Sequence, residues 1–82
     1  MADAPVFDPR SVTPLYVQIA DYVAAQVASG ALEPGAQLPA ERDLAELWSV
    51  AYQTVRRAMR ELRERGIVVS AVGKGTFVAT KR

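Results

Sequence analysis

The chain has 82 residues, half of them apolar and 23% charged, with a net charge of +1, which is enough for one small domain and no second. It contains no Cys and no His, so disulfide frameworks, thiolate or imidazole metal sites, cysteine nucleophiles and Ser/His/Asp triads are all excluded. No apolar run reaches the roughly 18 residues of a membrane span, and Met1 to Arg10 carries two Asp and two Pro where a signal peptide needs a basic and then an apolar stretch. A cytoplasmic protein without cofactor or metal is expected.

Residues 1–12 have two prolines, scattered charges and no periodicity, and read as an extended or mobile N-terminal arm. The folded domain is expected over 13–80, with 81–82 as a tail. Thr13 before Pro14 reads as an N-cap followed by a first helical residue, and Leu15, Ile19, Tyr22, Val23 and Val27 keep helical spacing up to Ser29 and Gly30. Leu32–Gly35 then reads as a turn, because Pro34 presets one central dihedral and Gly35 accepts the positive φ that follows. Ala36–Leu38 suits a short strand.

Pro39 to Trp48 predicts a second, short amphipathic helix with Leu44, Ala45, Leu47 and Trp48 apolar and with acids in its first turn, where the helix dipole favours them. Ser49, Val50 and Ala51 interrupt it. A third helix follows, with Val55, Ala58, Met59 and Leu62 on one face and Gln53, Arg56, Arg57, Arg60 and Arg63 or Glu64 away from it, closed by Gly66 in the left-handed region. Ile67–Ala71 and Thr76–Ala79 are strand-like and flank a glycine-rich tip, Val72–Gly75, as in a β-hairpin.

Charge is polarised along this order. Residues 1–48 hold two Arg against seven acids, for −5, while residues 49–82 hold eight basic residues against Glu61 and Glu64, for +6. A nearly neutral chain can thus turn a positive face to a polyanion; a solvated helix face is the plainer reading of the same charges.

Two helices joined by a turn of about three or four residues, the second with a basic polar face and followed by a hairpin, make an α+β winged helix-turn-helix: a three-helix core with a small antiparallel β-hairpin wing. In that geometry helix three, about 52–65, enters the DNA major groove, and the wing, about 67–79, meets the adjacent groove or backbone. Gln53, Thr54, Arg56 and Arg57 carry suitable chemistry, since Gln pairs with adenine, Arg with guanine, and the Thr methyl with thymine. Lys74 between Gly73 and Gly75 reads either as an ordinary turn or as a cation that two glycines let close to a phosphate or a minor groove. It is not a phosphate-binding loop of the Walker type.

Pro14, Leu15, Tyr16, Gln18, Ile19; Pro34, Gly35; Leu38, Pro39, Glu41, Arg42, Leu44, Ala45; Thr54, Val55, Arg56, Arg57, Ala58, Leu62; Gly66; and Gly73 to Val78 stand in one recurring order. In these residues the sequence resembles the GntR-type winged helix-turn-helix domain of bacterial transcription regulators from about Pro14 to Val78. The resemblance implies a sequence-specific DNA-binding regulator, a repressor, working as a homodimer on DNA. It further implies contacts from Arg42, Tyr52, Gln53, Thr54, Arg56, Gly73 and Lys74. The chain departs from the family pattern at Ala40 and Ala51, where capping Ser is usual, at Ser49, where Gly is frequent and a positive φ would be strained, and at Tyr52, which replaces an Arg. An alanine N-cap costs about 1 kcal/mol. Tyr52 can meet a phosphate or a sugar but cannot read guanine as Arg does, so an altered sequence preference is expected.

Several residues carry two readings. Trp48, Phe77 and Tyr16 read as core or interface aromatics. Arg60, Arg63 and Arg65 read as solvated or phosphate-facing, because the far end of a recognition helix leaves the groove. Arg42 either touches DNA or pairs with Glu46 four residues on. Four residues follow Val78, leaving no effector site within this chain, as in a small stand-alone member or the N-terminal piece of a longer regulator. The alternative function is a winged-helix protein-interaction module that has lost DNA binding.

Overall fold

The computed structural model describes residues 5–80. Helix α1, Leu15–Ser29, α2, Glu41–Trp48, and α3, Tyr52–Glu64, are followed by strands β1, Val68–Ala71, and β2, Gly75–Val78. The strands pair antiparallel with Val68 opposite Val78 and Ala71 opposite Gly75. This is the winged helix-turn-helix that the sequence predicts.

The order of burial follows the helical periodicity. Val55, Ala58, Met59 and Leu62 of α3 are wholly buried and meet Ile19, Ala20 and Val23 of α1, Leu44 and Trp48 of α2, and Val68 and Val78 of the hairpin. Because α3 contributes four such residues, it is the central element on which α1, α2 and β1 pack. Gln, Arg, Glu, Met and Leu are all good helix formers and supply the rest of its length.

Both α2 and α3 end in the same backbone device. At α3, Gly66 N–H donates to Arg63 O at 3.0 Å and Ile67 N–H to Leu62 O at 2.9 Å, a Schellman motif with Gly66 at φ +76 as its left-handed residue. At α2, Ser49 N–H donates to Glu46 O and Val50 N–H to Ala45 O, at 3.2 and 3.0 Å. There the left-handed residue is Ser49, with φ +54 and ψ +45. The strain expected at Ser49 is therefore present, and it sets the three-residue turn between α2 and α3.

Some boundaries differ from expectation. Thr13 does not cap α1: Pro14, with ψ 148, stands at the N-cap and its carbonyl receives the Val17 and Gln18 N–H groups. The Thr13 carbonyl is taken instead by the Gln18 side chain, at 2.8 Å. The second helix starts at Glu41 and not at Pro39. The turn expected at Leu32–Gly35 falls one residue later, at Glu33 to Ala36, with Gly35 at φ +84 and a 3.0 Å bond from Ala36 N–H to Glu33 O. Ala36–Leu38 makes a single bridge, Gln37 opposite Phe77, and runs antiparallel along the free edge of β2.

Where an extended or mobile arm is expected, the segment is docked on the domain at Phe7, Asp8 and Thr13. Phe7 meets Trp48 and Tyr22 edge to face at 5.7 and 6.0 Å between ring centroids, and Tyr22 meets Trp48 at 6.2 Å. Gln18 clamps the backbone of Asp8 from both sides, accepting its N–H at 2.9 Å and donating to its carbonyl at 2.8 Å. Residues 1–4 of that arm and the tail 81–82 lie outside the described residues.

Candidate nucleic-acid interface

The N-terminal half of α3 is exposed on the side away from the core. Gln53, Arg56, Arg57 and Arg60 are exposed there, Tyr52 and Thr54 half-buried. Neither Ala51, the N-cap of α3, nor Ala40, the N-cap of α2, offers a side-chain acceptor to the first turn that follows. Thr54 N–H is taken by Ala51 O at 3.0 Å, and the N–H groups ahead of it at the start of α3 suit an anion.

The cations lie in two groups, one on each flank of α3. On one side Arg42, Tyr52 and Lys74 line a single open cleft of about 420 Å³ between the start of α2 and the wing tip. The Arg42 guanidinium lies 4.6 Å from the centre of the Tyr52 ring and that of Arg56 lies 5.9 Å from it, so one aromatic ring orients two arginines. Arg56 also approaches Glu41 at 3.9 Å, an acid that competes with DNA for it. On the other side Gln53, Thr54 and Arg57 line a shallower cleft with Pro14 and Tyr16. Arg57 stacks 4.1 Å above the Tyr16 ring.

This geometry decides between readings that the sequence leaves open. Arg42 is exposed and stacked on Tyr52, and among the described residues it has no ion pair with Glu46 or any other acid. Arg57, Arg60 and Lys74 likewise have no acid within ion-pair distance among those residues. Arg65, expected to be solvated or phosphate-facing, instead holds Glu61 and Asp21 at 2.9 Å each, tying α3 to α1. Its hydrogen bonds to Glu61 and then Asp21 raise its pKa further above the usual range. Arg63 donates to Ser70 Oγ at 3.0 Å. The far end of α3 thus spends these two arginines within the fold, while Arg57 and Arg60 keep clear of acids among the described residues.

The core reading holds for Trp48, which is buried, whereas Phe77 and Tyr16 are half-buried. Tyr16 packs on the core with one part of its ring and supports Arg57 with the other. The wing tip is a turn closed by Lys74 N–H to Ala71 O at 2.9 Å, with Gly73 at φ +74 in its third position. Sequence reasoning missed Gln37, whose side chain reaches that tip. Nothing local marks it, because the contact joins segments 37 residues apart.

Comparison with known proteins bears on the family and the fold. The family described as bacterial regulatory proteins, gntR family, matches residues 15–78. The HTH-type transcriptional regulator GgaR of Escherichia coli (strain K12) is 50% identical over 66 residues, covering 80% of this chain and 27% of GgaR. MngR of the same strain, a mannosyl-D-glycerate transport/metabolism system repressor, is 46% identical over 69 residues, covering 84% of this chain and 29% of MngR. The chain therefore spans less than a third of the length of these two relatives. The structure of the AraR DNA-binding domain in complex with an operator superposes with a TM-score of 0.81 at 29% identity, covering 94% of this chain and 95% of that one. The chain belongs to the gntR family of bacterial regulatory proteins, and its fold is the winged helix-turn-helix DNA-binding domain.

Proposed function

We propose that the chain reads double-stranded DNA for a transcription regulator, acting by binding and not by catalysis, in the cytoplasm where its target lies. The observation that carries this reading is the division of free cations into Arg42 and Lys74 on one flank of α3 and Arg57 on the other. A helix lying in a major groove has a phosphate strand on each side. Gln53 and Thr54, beside Arg57 at the start of α3, are the residues offered to the base edges. Arg56, steadied by Tyr52, stands at the boundary between base and phosphate contact. Gly73 and Lys74 carry the wing to the adjacent groove or backbone.

Two copies on a two-fold operator, with half-sites about one helical turn apart, follow from the same docking geometry. Occupancy of such a site blocks transcription, in keeping with the repressor MngR among the relatives.

The test is selection of a duplex from a randomised pool, followed by fluorescence titration at two salt concentrations. Four cations, Arg42, Arg56, Arg57 and Lys74, at about 0.9 counterions per phosphate contact give a loss on the order of a hundredfold in affinity between 50 and 200 mM salt for each copy bound. The Arg56→Ala, Lys74→Ala double variant lowers the slope by about two per copy. A folded protein that binds no duplex at low salt refutes the proposal.

A further inference from the structure

We propose that Gln37 is the positioning residue of the wing, a latch whose carboxamide sets where Lys74 meets DNA; this rests on the DNA-binding reading above. Gln37 lies on the extended segment that runs along β2, where Leu38 N–H donates to Thr76 O at 2.9 Å and Val78 N–H donates to Ala36 O at 2.8 Å. Those flanking bonds pin the Gln37 backbone to the sheet edge and leave its side chain to run toward the tip. There Nε2 donates to the Lys74 carbonyl at 2.8 Å. A carbonyl only accepts, so the amide's NH2 end is the one that faces it.

The backbone of Gly75 closes on the same amide. Gly75 has φ +121, and a Cβ built on it would stand 2.8 Å from Gln37 Nε2. The glycine therefore serves the strand turn and also clears the path of the amide. Beyond this latch the tip is held by the single turn bond from Lys74 to Ala71, and Gly73 has nothing within 4 Å of where its Cβ would be.

The same short segment continues through the buried Leu38 into Pro39, Ala40 and the first turn of α2, where Arg42 stands. Gln37, Arg42 and Lys74 line one cleft. The latch thus fixes the spacing between the two cations that flank this side of α3, so that neither has to be ordered when the duplex arrives.

The experiment uses Gln37→Met, which keeps the length of the side chain and removes the donor, alone and combined with Lys74→Ala. Each variant is titrated against a duplex selected by the unmodified protein from a random pool. The Gln37→Met protein binds about three- to tenfold more weakly, the range expected for one lost hydrogen bond. In the Lys74→Ala background the same substitution changes affinity less than about twofold, because the amide acts through Lys74. Heteronuclear NOE values at Val72–Gly75 fall in free Gln37→Met protein while those of the helices stay as they were. Unaltered binding, or an equal loss with and without Lys74, overturns the latch. If the unmodified protein binds no duplex, the functional reading fails by itself, and an unaltered NOE at the tip then overturns the latch separately.

Discussion

Tyr52 replaces the arginine that is usual at the start of the recognition helix, and its ring lies under the guanidinium groups of Arg42 and Arg56 at 4.6 and 5.9 Å. Replacing Tyr52 with Ala removes that platform. Each released arginine must then be ordered on binding, at about 0.5–1.5 kcal/mol per side chain. The Arg42 contribution dominates, since its ring contact is the shorter and Arg56 is also steadied by Glu41 at 3.9 Å. A total of about 1–2 kcal/mol corresponds to roughly five- to thirtyfold weaker binding to a selected duplex. Tyr52→Phe keeps the ring and loses only the hydroxyl, so it binds within about twofold of the unmodified protein and with the same salt slope. Arg42→Ala lowers the slope by about one per copy, and adding Tyr52→Ala to it costs less than Tyr52→Ala alone. Fluorescence anisotropy across a salt series measures the four variants beside the unmodified protein. If Tyr52→Phe loses as much as Tyr52→Ala, the phenol is itself the DNA contact and the platform argument is refuted.

Three further outcomes concern stability and the assignment of charges. Ser49→Gly relieves a left-handed serine and raises stability by about 0.5–1 kcal/mol, after the greater freedom of unfolded glycine is set against about 1–2 kcal/mol of strain; a lowered midpoint in urea denaturation contradicts this. Phe7→Ala removes two edge-to-face contacts and a half-buried ring and lowers stability by about 1.5–3 kcal/mol; a change below about 0.5 kcal/mol means that the arm is not docked in solution. Arg65→Ala lowers stability by at most about 1 kcal/mol, because both ion pairs are partly solvated. It leaves the salt slope of DNA binding unchanged, whereas Arg57→Ala reduces that slope by about one per copy. The Arg65 pKa is raised in the folded state, so its stabilising share is fully present below its ordinary value and is lost only at more alkaline pH.

Much of this molecule is legible in local pattern. The helical repeat of Val55, Ala58, Met59 and Leu62 identifies the buried face of α3, because a helix can bury only the residues that share a face. Pro34–Gly35 and Gly66 mark turns for a comparable reason: each requires a backbone conformation that few residues adopt, so the residue type reveals the geometry. The three-residue break at Ser49–Ala51 and the glycines around Lys74 place a turn and a wing on either side of the basic helix. The boundary at Pro14 was harder to read, since Thr13 is a good cap by type, yet Gln18 takes its carbonyl and the helix starts one residue later.

Local pattern along the chain suffices for the three helices and the hairpin, their order, the core face of α3 and the family, because these depend on periodicity and backbone preference over a few residues, whereas Leu47, expected on the apolar face of α2, is exposed. Tertiary structure alone decided which charges stay free. Arg65 and Arg42 are the same residue type on neighbouring elements, yet one is held by Asp21 of α1 and the other is left exposed on Tyr52. It also brought Phe7 against Trp48 and Gln37 to Lys74. Such pairings arise only when segments distant in the chain are packed at atomic separations, and the range of an ion pair or hydrogen bond, a few ångströms, is shorter than any pattern along the sequence can specify.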